Sequence, residues 1–184
     1  MTSSGDRELR SALSRIVNCS PEDVVGEARV DEWLRLQTQK VSALSEGTSH
    51  SISIEILWSN EITRLNCYMH ALGLDPKEIE DWRWPGIEPD TPFVEAIVNN
   101  LLKEKPLGEA TDGDIVIYFE KERPRHAGRF SNNKIISKWG DGATNIWRHA
   151  LWEVPSDYGD TVRVFRPLSE EEAVAVYREW AEAR

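Results

Sequence analysis

Gly113-Asp114-Ile115-Val116-Ile117-Tyr118-Phe119 and, after a polar loop, His126-Ala127-Gly128-Arg129-Phe130-Ser131-Asn132-Asn133-Lys134-Ile135-Ile136-Ser137-Lys138-Trp139 decide the fold of this chain. The run of β-branched and aromatic residues at 115–119 reads as a strand, and Asn132-Asn133 between two apolar runs reads as a two-residue hairpin turn, because asparagine tolerates positive φ. That turn sets a register. Ser131 pairs with Lys134, His126 falls opposite Trp139, and Ser137 becomes the diagonal neighbour of His126 on the same face. Short strands are expected at 114–119, 126–130, 134–139, 147–153 and 161–166.

Upstream the period changes to that of helices. Leu9, Leu13, Ile16 and Val17 mark an amphipathic helix over 7–18. Ser20-Pro21-Glu22-Asp23 signals a second start, carried on by Val30, Trp33, Leu34, Val41 and Leu44 until Gly47-Thr48-Ser49-His50-Ser51 ends it. Ile52, Ile54 and Ile56 alternate with polar residues as in a strand, and Cys67 to Leu72 reads as a short helix closed by Gly73. Thr91-Pro92 opens a helix with an apolar stripe at Phe93, Val94, Ile97, Val98, Leu101 and Leu102. Ser169 to Glu172 is a capping box opening a last helix through Val174, Tyr177 and Trp180. Helices followed by an antiparallel meander give an α+β architecture, with residues 1–50 as a helical extension and 51–184 as the main unit.

Composition narrows the function classes. Hydrophobic residues make up 40% and charged residues 29%, the balance of a globular chain. The formal charge of −10, from 32 acids against 22 bases, argues against a nucleic-acid partner and against docking on anionic membranes. No apolar run approaches the roughly 20 residues of a membrane helix, and no basic-then-apolar leader is visible, so a cytoplasmic protein is expected. Cys19 and Cys67 do not form a disulfide framework.

Cys67 and His126 carry the chemistry. A thiol at a helix start facing an imidazole on a strand is the arrangement of a cysteine nucleophile with its base; the helix end and the imidazolium both favour the thiolate. The ordered set of Asn66-Cys67-Tyr68, Gly113-Asp114 opening an apolar strand, His126-Ala127-Gly128 opening the next, and the Asn132-Asn133 hairpin resembles the NlpC-type branch of the papain-like cysteine hydrolases over about residues 60–166. Lys138-Trp139-Gly140, His149 and Val154-Pro155-Ser156-Asp157-Tyr158-Gly159 are similar to a pattern found among bacterial relatives of that branch. The resemblance implies a papain-like fold in which a nucleophile-bearing helix packs on a short antiparallel sheet. It also implies catalysis by Cys67 and His126, with a polar residue of the third strand orienting the imidazole. Ser137 stands at that position, where the family usually has His, Asn or Gln, and His149 is the alternative orienter.

Each residue also has a plainer reading. Cys67 is a small buried hydrophobe, His70 packs locally one turn after it, and His50 sits exposed in its loop. Trp139, with Trp147 and Trp152, lines a substrate groove or belongs to the core. No zinc spacing, phosphate loop, dinucleotide fingerprint, calcium loop or Gly-x-Ser-x-Gly elbow is present, so neither metal nor cofactor is expected. Two functions follow. One is a thiol-dependent hydrolase or acyl-transfer enzyme acting on an amide bond of a peptide or protein substrate. There the Cys67 N–H, with Asn60 or Asn66, stabilises the oxyanion. The other is a non-catalytic protein-binding module on the same fold, with the N-terminal helices recruiting a partner protein.

Overall fold

Asn132 and Asn133, at φ 50° and 59°, turn the chain through the tight hairpin that their sequence signals. Around that turn the computed structural model describes residues 4–17, 27–57, 65–74, 89–140 and 144–183. The Ser20-Pro21 helix start, Cys19, Asn60 and the segment 75–88 lie outside the described residues.

Five helices are described: α1 (Ser4–Val17), α2 (Glu27–Ala43), α3 (Cys67–Leu72), α4 (Thr91–Asn100) and α5 (Glu170–Glu182). Seven strands, β1 (Ser53–Ile56), β2 (Glu104–Lys105), β3 (Ile115–Glu120), β4 (Arg123–Ser131), β5 (Lys134–Lys138), β6 (Ile146–His149) and β7 (Thr161–Phe165), form one antiparallel sheet. The order is β1-β6-β5-β4-β3-β7-β2, so the meander β3 to β6 lies at the centre and β7 returns beside β3. The fold is therefore α+β. The expected register holds, with Ser131 opposite Lys134. Strand β4 begins earlier than expected, because Lys121 and Glu122 make a second two-residue turn at φ 49° and 66°. Neither residue type signals such a turn, since both carry a Cβ that disfavours positive φ.

Strand β3 is apolar and buried from Ile115 to Phe119 because both faces of the sheet are covered. Ile115, Ile117 and Phe119 point to a first core closed by α3, α4 and α5, with Met69, Leu72, Phe93, Ile97 and Tyr177. Val116 and Tyr118 point to a second core closed by Leu9, Leu13, Ile16 and Val17 of α1, together with Val41, Trp139, Trp147 and Val154. The N-terminal helix thus completes a core of the main unit. Helix α4 is capped by Asp90, whose carboxylate accepts from the Phe93 N–H at 3.0 Å, and α5 by the capping box of Ser169 and Glu172. Among the described residues no helix is long and apolar enough to cross a membrane.

Candidate functional site

Helix α3 starts where the sequence places it. Asn66 is the N-cap: its Oδ1 accepts from the Met69 N–H at 2.9 Å, while its Nδ2 donates to the Pro89 carbonyl at 2.7 Å. The amide oxygen of Asn66 and one of its two side-chain N–H groups are thereby engaged. Gly73 closes the helix at φ 72°, leaving six residues, fewer than two turns, so the helix end polarises the thiol only weakly. Cys67, which is in no disulfide, is half-buried at the first helical position, and Tyr68, Met69, Ala71 and Leu72 pack into the first core.

His126 lies on the other side of the sheet. It pairs with Tyr118, whereas its neighbour Ala127 pairs with Ile117 and faces the α3 side. Successive residues of a strand point to opposite faces, so the sheet itself separates the imidazole from the helix that carries Cys67. The ring is 1% exposed and stacks on Tyr158, with centroids 3.9 Å apart and planes at 14°, while Tyr118 lies 5.6 Å away. Its Nε2 has no hydrogen-bond partner. Burial, with the charges of His149, His70 and Lys138 adding to it, holds the imidazole neutral well below its ordinary pKa. The expected thiolate–imidazole pair is not assembled. A β-bulge just before His126, where Phe119 pairs with Pro124 and Tyr118 with His126, makes the face a matter of one residue's register.

The two expected orienters bond to each other instead of to His126. His149 Nδ1 lies 2.8 Å from the Ala150 carbonyl, which can only accept, so the proton is assigned to Nδ1. Nε2 then accepts from the Ser137 hydroxyl at 2.8 Å, and Ser137 Oγ accepts from Trp139 Nε1 at 3.0 Å. The three groups satisfy one another inside the fold. Burial takes His149 down to about 4, against the opposing pull of the Ala150 carbonyl and Glu153. Trp139 is fully buried and stacks on Trp147 at 5.2 Å, so it is core and lines no substrate groove. His70, on α3, is half-buried, and desolvation followed by the charge of Arg129 takes it down to about 4, with the Ile136 carbonyl opposing. His50 is tied to the end of α2 rather than free: its ring lies 2.9 Å from Ser45 Oγ and accepts from the Ile52 N–H at 3.3 Å.

The motifs that carry the resemblance have structural work of their own. Gly113 sits at φ 93° and donates its N–H to the Phe130 carbonyl. Asp114 gathers the Lys105 ammonium at 2.7 Å and the Thr111 N–H at 2.6 Å. The Gly140 N–H donates to the Tyr158 hydroxyl at 2.8 Å, which fixes the ring that covers His126. Gly159, at φ 109°, runs so close to β3 that a Cβ there would lie 2.2 Å from the Phe119 carbonyl oxygen.

Arg10 completes this knot and has no counterpart in the sequence reading. Its guanidinium donates to the carbonyls of Val154, Pro155 and Gly159, and Ser14 one turn later meets Ser156 Oγ at 2.8 Å. The available signal is a polar pair at i, i+4 on the buried face of an amphipathic helix.

The chain matches no protein-family model, no curated protein and no solved structure. Among the described residues no three His, Cys, Asp or Glu side chains converge as metal ligands.

Proposed function

We propose that the chain is a non-catalytic protein-binding module built on a papain-like scaffold of the NlpC type. The placement of His126 carries this reading: its ring is sealed under Tyr158 on the face of the sheet opposite the Cys67 helix. A general base must come within hydrogen-bond reach of the proton it removes, and an imidazole across a closed sheet does not. Exposed apolar side chains stand at Ile56, Leu57, Leu101 and Leu107. A thiol hydrolase is the second reading, favoured by the position of Cys67 at the capped start of α3 with its thiol half-buried.

The pH dependence of alkylation at Cys67, followed by mass spectrometry with Cys19 as internal control, separates the two. The binding module gives an ordinary thiol profile, with half-maximal rate near pH 8.5, that His126→Ala leaves in place. Rapid modification well below pH 8, lost in His126→Ala, would establish the thiolate–imidazole pair and restore the enzyme.

A further inference from the structure

Helix α4 ends at Asn100, and the next two residues part company: Leu102 turns into the core while Leu101 stays 42% exposed. Leu101 forms one wall of a groove of about 490 Å³ that runs between the end of α4, the residues after β7 and the outer side of α5. Leu168, Ala175 and Val176 make its apolar floor, and Lys103 and Arg166 supply two cations. Its one acid, Glu172, caps α5, where its carboxylate accepts from the Ser169 N–H at 2.8 Å, and it also feels the charge of Lys103. With two bases and one acid the lining is net positive, in a chain whose net charge is −10. The groove between α2 and β1, by contrast, is lined by one acid and one base, Asp31 and Arg35.

We infer that the groove between α4 and α5 binds a short acidic peptide segment of a partner protein, with aliphatic side chains seated on Leu101, Leu168 and Val176 and carboxylates facing Lys103 and Arg166. This names the site and partner class of the binding module proposed above and rests on that reading. Aliphatic anchors gain from leaving water for the apolar floor, and the two cations select the sign of the charges beside them. Two cations are too few for a nucleic-acid backbone or an anionic bilayer to overcome the repulsion of the chain's own charge.

The test is fluorescence anisotropy with a short fluorescein-labelled peptide that alternates leucine and glutamate, against a leucine–lysine control. The full-length protein is expected to bind the acidic peptide and not the basic one. Leu101→Asp and the double variant Lys103→Glu/Arg166→Glu each weaken binding roughly tenfold or more with unchanged melting temperature, and the double variant gains affinity for the basic peptide. No binding, equal binding of both peptides, binding indifferent to these variants, or association only with phosphatidylserine vesicles would overturn the inference. If the acidic peptide fails while Cys67 keeps an ordinary alkylation profile, only the groove assignment falls. A Cys67 thiolate formed at low pH would remove the module itself, whatever the peptide does.

Discussion

The two faces of one sheet are closed by different means. On the first, α3, α4 and α5 seal β3 and β4 with aliphatic and aromatic side chains, as where Phe93 meets Tyr177 edge-on at 5.5 Å. On the second, α1 and the segment 150–160 enclose polar groups as well: Arg10, His126, Ser137 and His149 are all buried there. Apolar packing is non-directional and tolerates many solutions. A buried polar group is stabilising only in the geometry that satisfies it, so the second face specifies its arrangement more narrowly and loses more when a single partner is removed.

Acid should act on imidazoles of both faces, His126 and His149 on the second and His70 of α3 on the first. His70 and His149 are taken down to about 4 by burial, and His126 lies well below its ordinary value. The unfolded chain therefore binds more protons below pH 6.5 than the folded one. Their contribution is fully present above that pH and is lost as the pH falls toward 4. Each group gives up about 1.4 kcal/mol per pH unit, so His70 and His149 together cost roughly 6 kcal/mol by pH 4, a large part of an ordinary domain's stability. The urea midpoint should drop steeply between pH 6.5 and 4. The His126→Phe variant, which keeps the stack on Tyr158 and cannot titrate, should make that slope shallower. A midpoint that holds constant to pH 4.5 would show that the three rings do not stay neutral in the fold.

A truncation on the first face supplies the matching control. Phe93 is 1% exposed, and Phe93→Ala should cost about 4 kcal/mol through lost burial and the cavity left behind. Because no titrating group bonds to the ring, the loss should be the same at pH 7 and pH 5. A loss that grows in acid would mean that the packing of Phe93 is coupled to a titrating ring, with His70 of α3 the one on its own face.

Ser137→Ala should be felt somewhat less, about 3 kcal/mol, because it strands both the Trp139 N–H and His149 Nε2 inside the fold. Chemical denaturation reads that loss, and the alkylation rate of Cys67 should not change with it. An altered alkylation profile with stability intact would instead make Ser137 part of a catalytic arrangement.

How much the sequence could say depended on which physical signal was local. The Asn132-Asn133 turn, the α3 helix from Asn66 to Gly73 and the Ser169 capping box are short-range patterns, and they appear as expected. The Lys121-Glu122 turn was hidden because its residues do not ask for the conformation that tertiary pairing gives them. The face taken by His126 was not legible for a different reason. Both faces of β4 are covered, so hydrophobicity does not alternate cleanly along it, and the parity of one strand residue depends on a bulge. The motif around Lys138-Trp139-Gly140 and Tyr158-Gly159 was readable as a pattern, but its contacts join residues that only the folded sheet brings together.

The smallest effect has the opposite sign and bears on the second face most directly. Gln37 of α2 is completely buried, and neither its Oε1 nor its Nε2 has a hydrogen-bond partner; Thr144 Oγ1 and Trp147 Nε1 are likewise buried and unpartnered. An amide shut away from water without partners costs roughly 1–3 kcal/mol, whereas leucine fills a similar volume and needs none. Gln37→Leu should therefore stabilise the fold by about 1 kcal/mol, read as a rise in the urea midpoint with an unchanged denaturant slope. Were the variant less stable instead, a bonded internal water would have to complete the amide, since such a water makes about three hydrogen bonds and is costly to remove. In that case the Gln37 amide would be satisfied, leaving Thr144 Oγ1, Trp147 Nε1 and His126 Nε2 as the buried groups still to be accounted for.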